Sequence, residues 1–194
     1  MDADITLPDG WKPIGATKDG SVNLQKGANL NAFSGIFDGA GHTITVPEDG
    51  LPLFGYVRNT RIRNLNIYGK KIAGYGLVNN FEGVGLSGSA VEIDNVTLKS
   101  GSSTLKSGLL GANKTVNGYA GCSAAFVATI TNCTIEKGVV VGYDKKQSQI
   151  GAIAGRMQGT IKNCGRYADV YGTDFRRRGR LGRRNRDIRR LRLE

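Results

Sequence analysis

Apolar and polar residues alternate along the chain in short stretches that end at glycine or asparagine. Four segments share the five-residue pattern x-Ile-x-Asn-apolar, where x is any residue. They cover residues 61–65, 92–96, 129–133 and 160–164. The alternation has a period of two, and the i, i+3, i+4 spacing of an amphipathic helix is absent over any useful window. The pattern therefore predicts short β-strands separated by turns, and an all-β chain.

The four segments recur at a nearly constant distance, with their asparagines 31, 37 and 31 residues apart. Gly-flanked apolar tripeptides interleave with them, in residues 76–79, 108–111 and 151–155, and a third short strand is expected at Val139–Val141. Short strands in a repeat of this length are typical of a stacked solenoid. The sequence predicts a right-handed parallel β-helix of about four to five coils, roughly 20–25 Å long at ~4.8 Å per coil.

An asparagine stands at the same turn position in every repeat. Asn adopts positive φ more readily than most residues, and its amide can bond to the backbone or to an identical amide in the next coil. It offers no charge for a cation or for an acid–base step, so a glycan or metal role is the weaker interpretation. We predict a structural ladder formed by Asn64, Asn95, Asn132 and Asn163.

The positive charge is concentrated at one end of the chain. The 194 residues have a formal net charge of +11, but residues 1–175 hold 17 Lys and Arg against 14 Asp and Glu. Residues 176–194 hold ten Arg and no Lys, a distribution that excludes a uniformly basic surface for nucleic acid. Three interpretations of this tail stay open: a displaced reading frame, a native solvated or amphipathic tail, and a basic arm that binds polyanions.

Residues with catalytic or metal-binding chemistry are few. One His and three Cys exclude most metal sites and most His-dependent catalysis, and we expect a structural role for His42. A lyase or hydrolase needs clustered carboxylates, whereas Asp38, Asp94 and Asp144 are expected to be dispersed over the coils. We therefore predict no enzymatic activity, no cofactor and no metal site.

The sequence also predicts the surroundings of two further groups of side chains. Cys133 and Cys164 each follow a repeat asparagine, so they should stack in adjacent coils as buried, reduced thiols. Three tyrosines each lie beside a glycine after a strand, and on a common face they would form a platform for sugars. Isolated, half-buried surface aromatics are the plainer interpretation of these residues, Tyr68, Tyr143 and Tyr171.

An ordered set of motifs carries a family resemblance. Residues 11–15 read Trp-Lys-Pro-Ile-Gly, residues 33–44 read Phe-Ser-Gly-Ile-Phe-Asp-Gly-Ala-Gly-His-Thr-Ile, and residues 53–55 read Leu-Phe-Gly. Gly-Ala-Ile-Ala-Gly at 151–155 and Gly-Thr-Ile-Lys-Asn-Cys at 159–164 follow later. This order resembles bacterial surface proteins that have a pectin-lyase-like β-helix and GLUG-type repeats.

The resemblance covers residues 11–175 and implies a cell-surface or secreted bacterial protein without a fixed activity. We expect a β-helix domain over residues 1–175, with a capping coil over 1–59 and repeats over 60–175, followed by the tail at 176–194. The chain departs from the pattern because it lacks a signal peptide, is short and loses the repeat after Phe175. We therefore expect a fragment of a longer, extracellular or cell-surface chain.

These observations predict a non-catalytic structural or adhesive module whose partner is a glycan or a host surface. One alternative is a fragment of a polysaccharide-active β-helix enzyme, which would bring Asp and Lys or Arg from different coils into one groove. The other is binding of nucleic acid or another polyanion, which requires a native tail. No stretch approaches the ~18 apolar residues of a membrane span, so no span is expected.

Overall fold

The computed structural model describes residues 1–16, 32–82, 91–112, 127–147 and 150–173. Within these ranges the chain is all-β and contains no helix, which confirms the predicted fold class at this level. Accordingly, the described residues include no helix long and apolar enough to cross a membrane. The basic tail at 176–194 and Cys122 lie outside them.

The strands are short, with one exception of 15 residues. In chain order they are β1 (Ile5–Thr6), β2 (Phe33–Asp38), β3 (Thr43–Thr45), β4 (Phe54–Tyr68), β5 (Val78–Glu82), β6 (Val91–Leu98), β7 (Ser103–Thr104), β8 (Leu110–Ala112), β9 (Val127–Thr131), β10 (Thr134–Ile135), β11 (Val140–Val141), β12 (Ala154–Arg156), β13 (Gln158–Lys162), β14 (Gly165–Arg166) and β15 (Asp169–Val170).

Twelve of these strands form one parallel sheet that curls into a half-barrel. The other three form a second parallel sheet in the order β15-β11-β7. The long strand β4 lies at the centre of the larger sheet and changes direction at Asn59 and Asn64, where φ is 47° and 52°. Because of these bends, its first part pairs with β5 and its later parts pair with β2, β3 and β6.

Strand pairing places equivalent positions of the repeats directly above one another. Ile62 pairs with Ile93, and Ile130 pairs with both Ile93 and Ile161. Phe37 of β2 pairs with Ile62 and extends this set at the amino-terminal side. We call the five residues Phe37, Ile62, Ile93, Ile130 and Ile161 the isoleucine column.

The core is built from such columns because alternate side chains of each strand point inward. In β6, Val91, Ile93, Val96 and Leu98 are buried, whereas Glu92 and Asp94 between them are partly exposed. Each fully buried Ile or Leu stabilises the fold by about 1.5–3 kcal/mol relative to an exposed one. Burial of alternate residues on successive strands therefore holds the stack together.

Aromatic side chains fill the amino-terminal side of the core. Phe54 is fully buried, and its ring centroid lies 5.1 Å from that of Phe33 and 5.4 Å from that of Phe37. Trp11 packs against the same core, and Ile14 forms a parallel bridge with Phe54. The expected division between a capping coil and the repeats, at residues 59 and 60, falls inside β4.

Candidate functional site

The outward side chains of three stacked strands line a shallow groove of about 250 Å³. They come from β4, β6 and β9, on the opposite side of these strands from the isoleucine column. Pairing of Arg61 with Glu92 and of Arg63 with Asp94 sets them in two parallel rows. We call this surface the charged groove; its residues are Arg61, Arg63, Glu92, Asp94, Thr129 and Thr131.

Both arginines of the charged groove are paired with carboxylates on neighbouring strands. Arg61 Nε lies 2.5 Å from Glu92 Oε2, and Arg63 Nε lies 2.8 Å from Asp38 Oδ2. All four side chains are more than one-third exposed, so water screens these pairs and each contributes little to stability. Their main effect is to hold the two guanidinium groups in place.

Hydrogen bonds hold the carboxylates of Asp94 and Asp38 in the ionised form. Asp94 Oδ1 accepts from Thr131 Oγ1 at 2.6 Å and from Asn132 Nδ2 at 2.7 Å, and these bonds lower the pKa of Asp94. The backbone N–H of Ala40 lowers the pKa of Asp38, with smaller contributions from Asn64 and Arg63. A carboxylate whose pKa is lowered is fully ionised at neutral pH, so it cannot donate a proton there.

These shifts predict that the protein loses stability in acid. A carboxylate with a lowered folded pKa stabilises the native state above its unfolded pKa of about 4 and loses that effect as pH falls through the folded value. We expect the free energy of unfolding to fall below about pH 4, and to fall less steeply in Asp94→Asn. Denaturant unfolding between pH 7 and pH 2 measures both slopes.

Asp9→Asn, which changes an exposed aspartate outside the strands, is the control for the loss of one carboxylate. A steeper or unchanged acid profile in Asp94→Asn would contradict the role of the Thr131 and Asn132 hydrogen bonds.

The expectation that the aspartates are dispersed is wrong for two of them. Asp38 and Asp94 both pair with Arg63, so they lie in one row, and Glu92 lies beside them on the same face. The offset between Asp38 and Arg63 is 25 residues rather than 31, and β2 lacks the asparagine motif, so comparison of the repeats did not place Asp38. Within the described ranges, however, no group of three or more His, Cys, Asp or Glu could hold a metal ion.

The four repeat asparagines all adopt the left-handed conformation, with φ between 51° and 54°. Asn95 Nδ2 donates to Asn64 Oδ1 at 2.9 Å, and Asn163 Nδ2 donates to Asn132 Oδ1 at 3.4 Å. Asn64 in turn donates to Asp38 at 3.2 Å, whereas Asn132 donates to Asp94. The side chains therefore form two short ladders, the first ending at Asp38 and the second at Asp94.

Substitution of Asn95 separates the two contributions of this residue. Asn95→Ala loses both the amide hydrogen bond and the tolerance of positive φ, whereas Asn95→Gly loses only the bond. We expect the alanine variant to be less stable than the glycine variant by about 1 kcal/mol, because an L side chain is strained in this region. Equal stability of the two variants in urea unfolding would contradict this account.

The two described cysteines lie one above the other with free thiols. The Cys133 N–H donates to Cys164 Sγ at 3.4 Å, and the Val96 N–H donates to Cys133 Sγ at 3.4 Å. Cys133 is fully buried and Cys164 is half-buried. Burial raises the pKa of the Cys133 thiol to about 12, so its reactive thiolate is scarce at neutral pH.

We expect native Cys133 to resist thiol reagents at pH 8, reacting at least about tenfold more slowly than Cys164. Two variants, Cys122→Ser/Cys164→Ala and Cys122→Ser/Cys133→Ala, each retain one of these thiols and allow the rates to be compared. Labelling of Cys133 at the rate seen in denaturant would contradict its burial in the native fold.

His42 and three of the tyrosines contact side chains from other segments of the chain. His42 Nδ1 lies 3.3 Å from Asp4 Oδ1, which also accepts the Thr43 N–H at 2.8 Å, so the pair attaches the amino-terminal segment to β3. Lysine ammonium groups lie 5.6 Å from the Tyr143 ring, 5.3 Å from Tyr75 and 5.0 Å from Tyr171; they belong to Lys71, Lys106 and Lys145. Sequence patterns did not indicate these lysine contacts, since each joins segments far apart in the chain.

Comparison of the chain with protein-family models, with curated proteins and with solved structures found no match. The functional inference therefore rests on the sequence motifs and on the geometry of the charged groove.

Proposed function

We propose that this chain is a non-catalytic structural and adhesive module, built as a right-handed parallel β-helix, of a bacterial cell-surface or secreted protein. The observation that carries the proposal is the pairing of outward charged groups between neighbouring strands. Arg61 pairs with Glu92, Arg63 with Asp38, and Lys99 with Glu136 at 2.6 Å. Such pairs fix the charged side chains of neighbouring passes against one another, whereas catalysis requires a group whose pKa is matched to proton transfer or attack.

The β-helix part of the proposal is supported by the register of the strands. Every described strand pair is parallel, and the isoleucine column has five members from five successive passes of the chain. Five members agree with the four to five coils expected from the repeat. Right-handed connections are the rule between parallel strands of one sheet, and this supports the proposed hand.

The adhesive part of the proposal rests on the family resemblance and on the lysine–tyrosine contacts. Tyrosine rings pack against the C–H groups of sugars, and ammonium groups pair with sugar carboxylates. Lys71 with Tyr143 and Lys145 with Tyr171 combine both properties on successive passes of the chain, whereas Tyr75 beside Lys106 is only 7% exposed and does not reach a ligand. An acidic glycan of a host or neighbouring cell surface is the proposed partner.

The charged groove favours a second candidate, a polysaccharide-active enzyme, because arginines and carboxylates from different strands converge there. The pKa shifts of the charged groups in this groove oppose an enzymatic role. The hydrogen bond that Arg61 donates to Glu92 raises the pKa of Arg61, so the neutral guanidine that proton abstraction needs becomes scarcer. Thr131 and Asn132 lower the pKa of Asp94, so this carboxyl is ionised at neutral pH and holds no proton to donate as a general acid.

One experiment separates the two candidates. The purified chain is incubated with acidic and neutral polysaccharides, with and without Ca²⁺, while new reducing ends and unsaturated uronates are measured. We expect no turnover above that of the Arg61→Ala/Glu92→Ala control, together with retention of the protein on immobilised acidic glycan. Turnover that depends on Arg61 would replace the proposal with the enzyme, and absence of retention would remove its adhesive part.

Binding of nucleic acid or another polyanion through residues 176–194 is a third candidate, suggested by their ten arginines. It predicts affinity for heparin or duplex DNA that falls steeply with salt and is lost when residues 176–194 are deleted. Affinity that survives this deletion would assign polyanion binding to the body of the protein instead.

A further inference from the structure

The charged groove keeps hydrogen-bonding groups that its own ion pairs do not use. Within the described part of the chain, Arg61 and Arg63 donate through Nε, each to a carboxylate of a neighbouring strand. Their terminal N–H groups are therefore left to donate to a ligand. Asp94 accepts both of its hydrogen bonds at Oδ1 and Glu92 accepts at Oε2, so the second oxygen of each carboxylate is left to accept. Fixed donors and acceptors thus lie side by side on this surface.

The charges that line the groove cancel. Its two arginines stand opposite Glu92 and Asp94, and the strand pairing places one sign beside the other. An anion bound to the arginines would also approach the carboxylates, and a cation bound to the carboxylates would also approach the arginines. In the described ranges, no cluster of His, Cys, Asp or Glu could hold a metal ion. The groove therefore suits a neutral ligand rich in hydroxyl groups, since each hydroxyl both donates and accepts.

The spacing of the groove side chains matches the size of a sugar ring. Strand pairing sets them in two rows of three, Arg61, Glu92, Thr129 and Arg63, Asp94, Thr131. Neighbours within a row are ~4.8 Å apart, and the two rows are ~6.6 Å apart along the strands. The hydroxyl groups on opposite sides of a six-membered sugar ring are separated by distances of this order. A volume of about 250 Å³ fits one such ring.

An exposed isoleucine borders the groove. Ile36 of β2 pairs with Arg61, so it precedes Arg61 in the first row, and its side chain is 65% exposed. Covering so exposed an apolar side chain with C–H groups is favourable. A sugar ring carries C–H groups on its faces and hydroxyl groups around its edge. A ring in the groove can therefore bond to Glu92 through its edge while one of its faces packs against Ile36.

We propose that the charged groove binds a neutral sugar residue of a polysaccharide. Arg61, Glu92, Asp94 and Thr129 bond to its hydroxyl groups, and Ile36 packs against its C–H groups. This site goes beyond the proposed function, because it takes a neutral glycan and shares no residue with the lysine–tyrosine contacts assigned to an acidic one.

Frontal affinity chromatography of the full chain on immobilised β-glucan, α-mannan and β-galactan tests the proposal. We expect retention on at least one of the three. We expect it to be equal at about 0.05 and 0.5 M NaCl, because a neutral ligand forms no ion pair that salt could screen. Glu92→Gln removes the charge that accepts the sugar hydroxyl and should weaken binding at least about tenfold. Thr129→Val keeps the side-chain shape without the hydroxyl and should weaken binding at least about threefold.

Two matched controls change the same groups outside the groove. Glu48 also forms an ion pair, with Lys70 at 3.5 Å, and Thr97 is a half-buried outward threonine of β6. Neither residue lines the groove, so Glu48→Gln and Thr97→Val should bind the neutral polysaccharide as the native protein does.

The outcome at this groove is independent of the outcome for the acidic glycan. Lys145→Ala removes a lysine–tyrosine contact and should weaken retention on the acidic glycan alone. Absence of retention on all three neutral polysaccharides overturns the proposal of a neutral sugar site. Undiminished binding by Glu92→Gln or by Thr129→Val also overturns it, as does retention that is lost at high salt.

Discussion

Replacing Gly76 by alanine is expected to destabilise the protein by roughly 3 kcal/mol. A Cβ added at Gly76 would lie 1.8 Å from the carbonyl oxygen of Gly108, which belongs to the next pass of the chain. Real Cβ atoms do not approach oxygen so closely, so the two backbones would have to separate. The same close approach recurs at Gly108, where a Cβ would lie 1.9 Å from the Ala152 carbonyl oxygen.

Gly74→Ala is the matched control for this substitution. It lies two residues away, and the nearest atom to its added Cβ is Pro52 Cδ at 3.2 Å, a contact that a small shift relieves. We expect a change of less than about 1 kcal/mol. Denaturant unfolding of both variants measures the difference, and equal losses would mean that the Gly76 and Gly108 backbones are not stacked as the structure places them.

Ile93→Ala is expected to lower the free energy of unfolding by about 2–5 kcal/mol, since it leaves a cavity at a fully buried position of the isoleucine column. Ile161→Ala makes the same chemical change in the same column, but at a residue that is 48% exposed. We expect it to cost less than about 1 kcal/mol, because water already reaches the side chain and no closed cavity forms.

Comparison of the two variants therefore tests at which end of the isoleucine column burial is lost, as well as how much burial contributes to stability. Both free energies come from denaturant unfolding at the same protein concentration. A loss at Ile161 as large as that at Ile93 would contradict the open edge at β13.

Much of the larger sheet was predictable from local pattern. The four Ile-x-Asn segments begin in β4, β6, β9 and β13, with Asn132 and Asn163 directly after the last two strands, and the expected short strand at Val139–Val141 corresponds to β11. Alternation of apolar residues marks a half-buried strand whichever strand lies beside it, so this inference needs no tertiary information. The β-helix, its hand and the bacterial surface function stay predictions.

The charged groove was not predictable in the same way. Asp38 meets Arg63 because β2 pairs with β4 at an offset of 25 residues, which departs from the 31-residue repeat. The prediction that carboxylates would not share a face failed for this reason. Thr131 likewise meets Asp94 across a 37-residue offset, and nothing in either local segment indicates that the two side chains hydrogen-bond.

The sequence by itself determined the strand period and the turn positions, since these depend on local alternation and on residues such as Asn95, which adopts a φ of 51°. Only the tertiary structure decided which polar groups meet, that Ile161 is exposed while Ile93 is buried, and that Gly76 must lack a side chain. The physical reason is that the residue offset between two stacked strands depends on both strands and on the length of the connection between them. A single segment carries its own alternation but not the position of its neighbour.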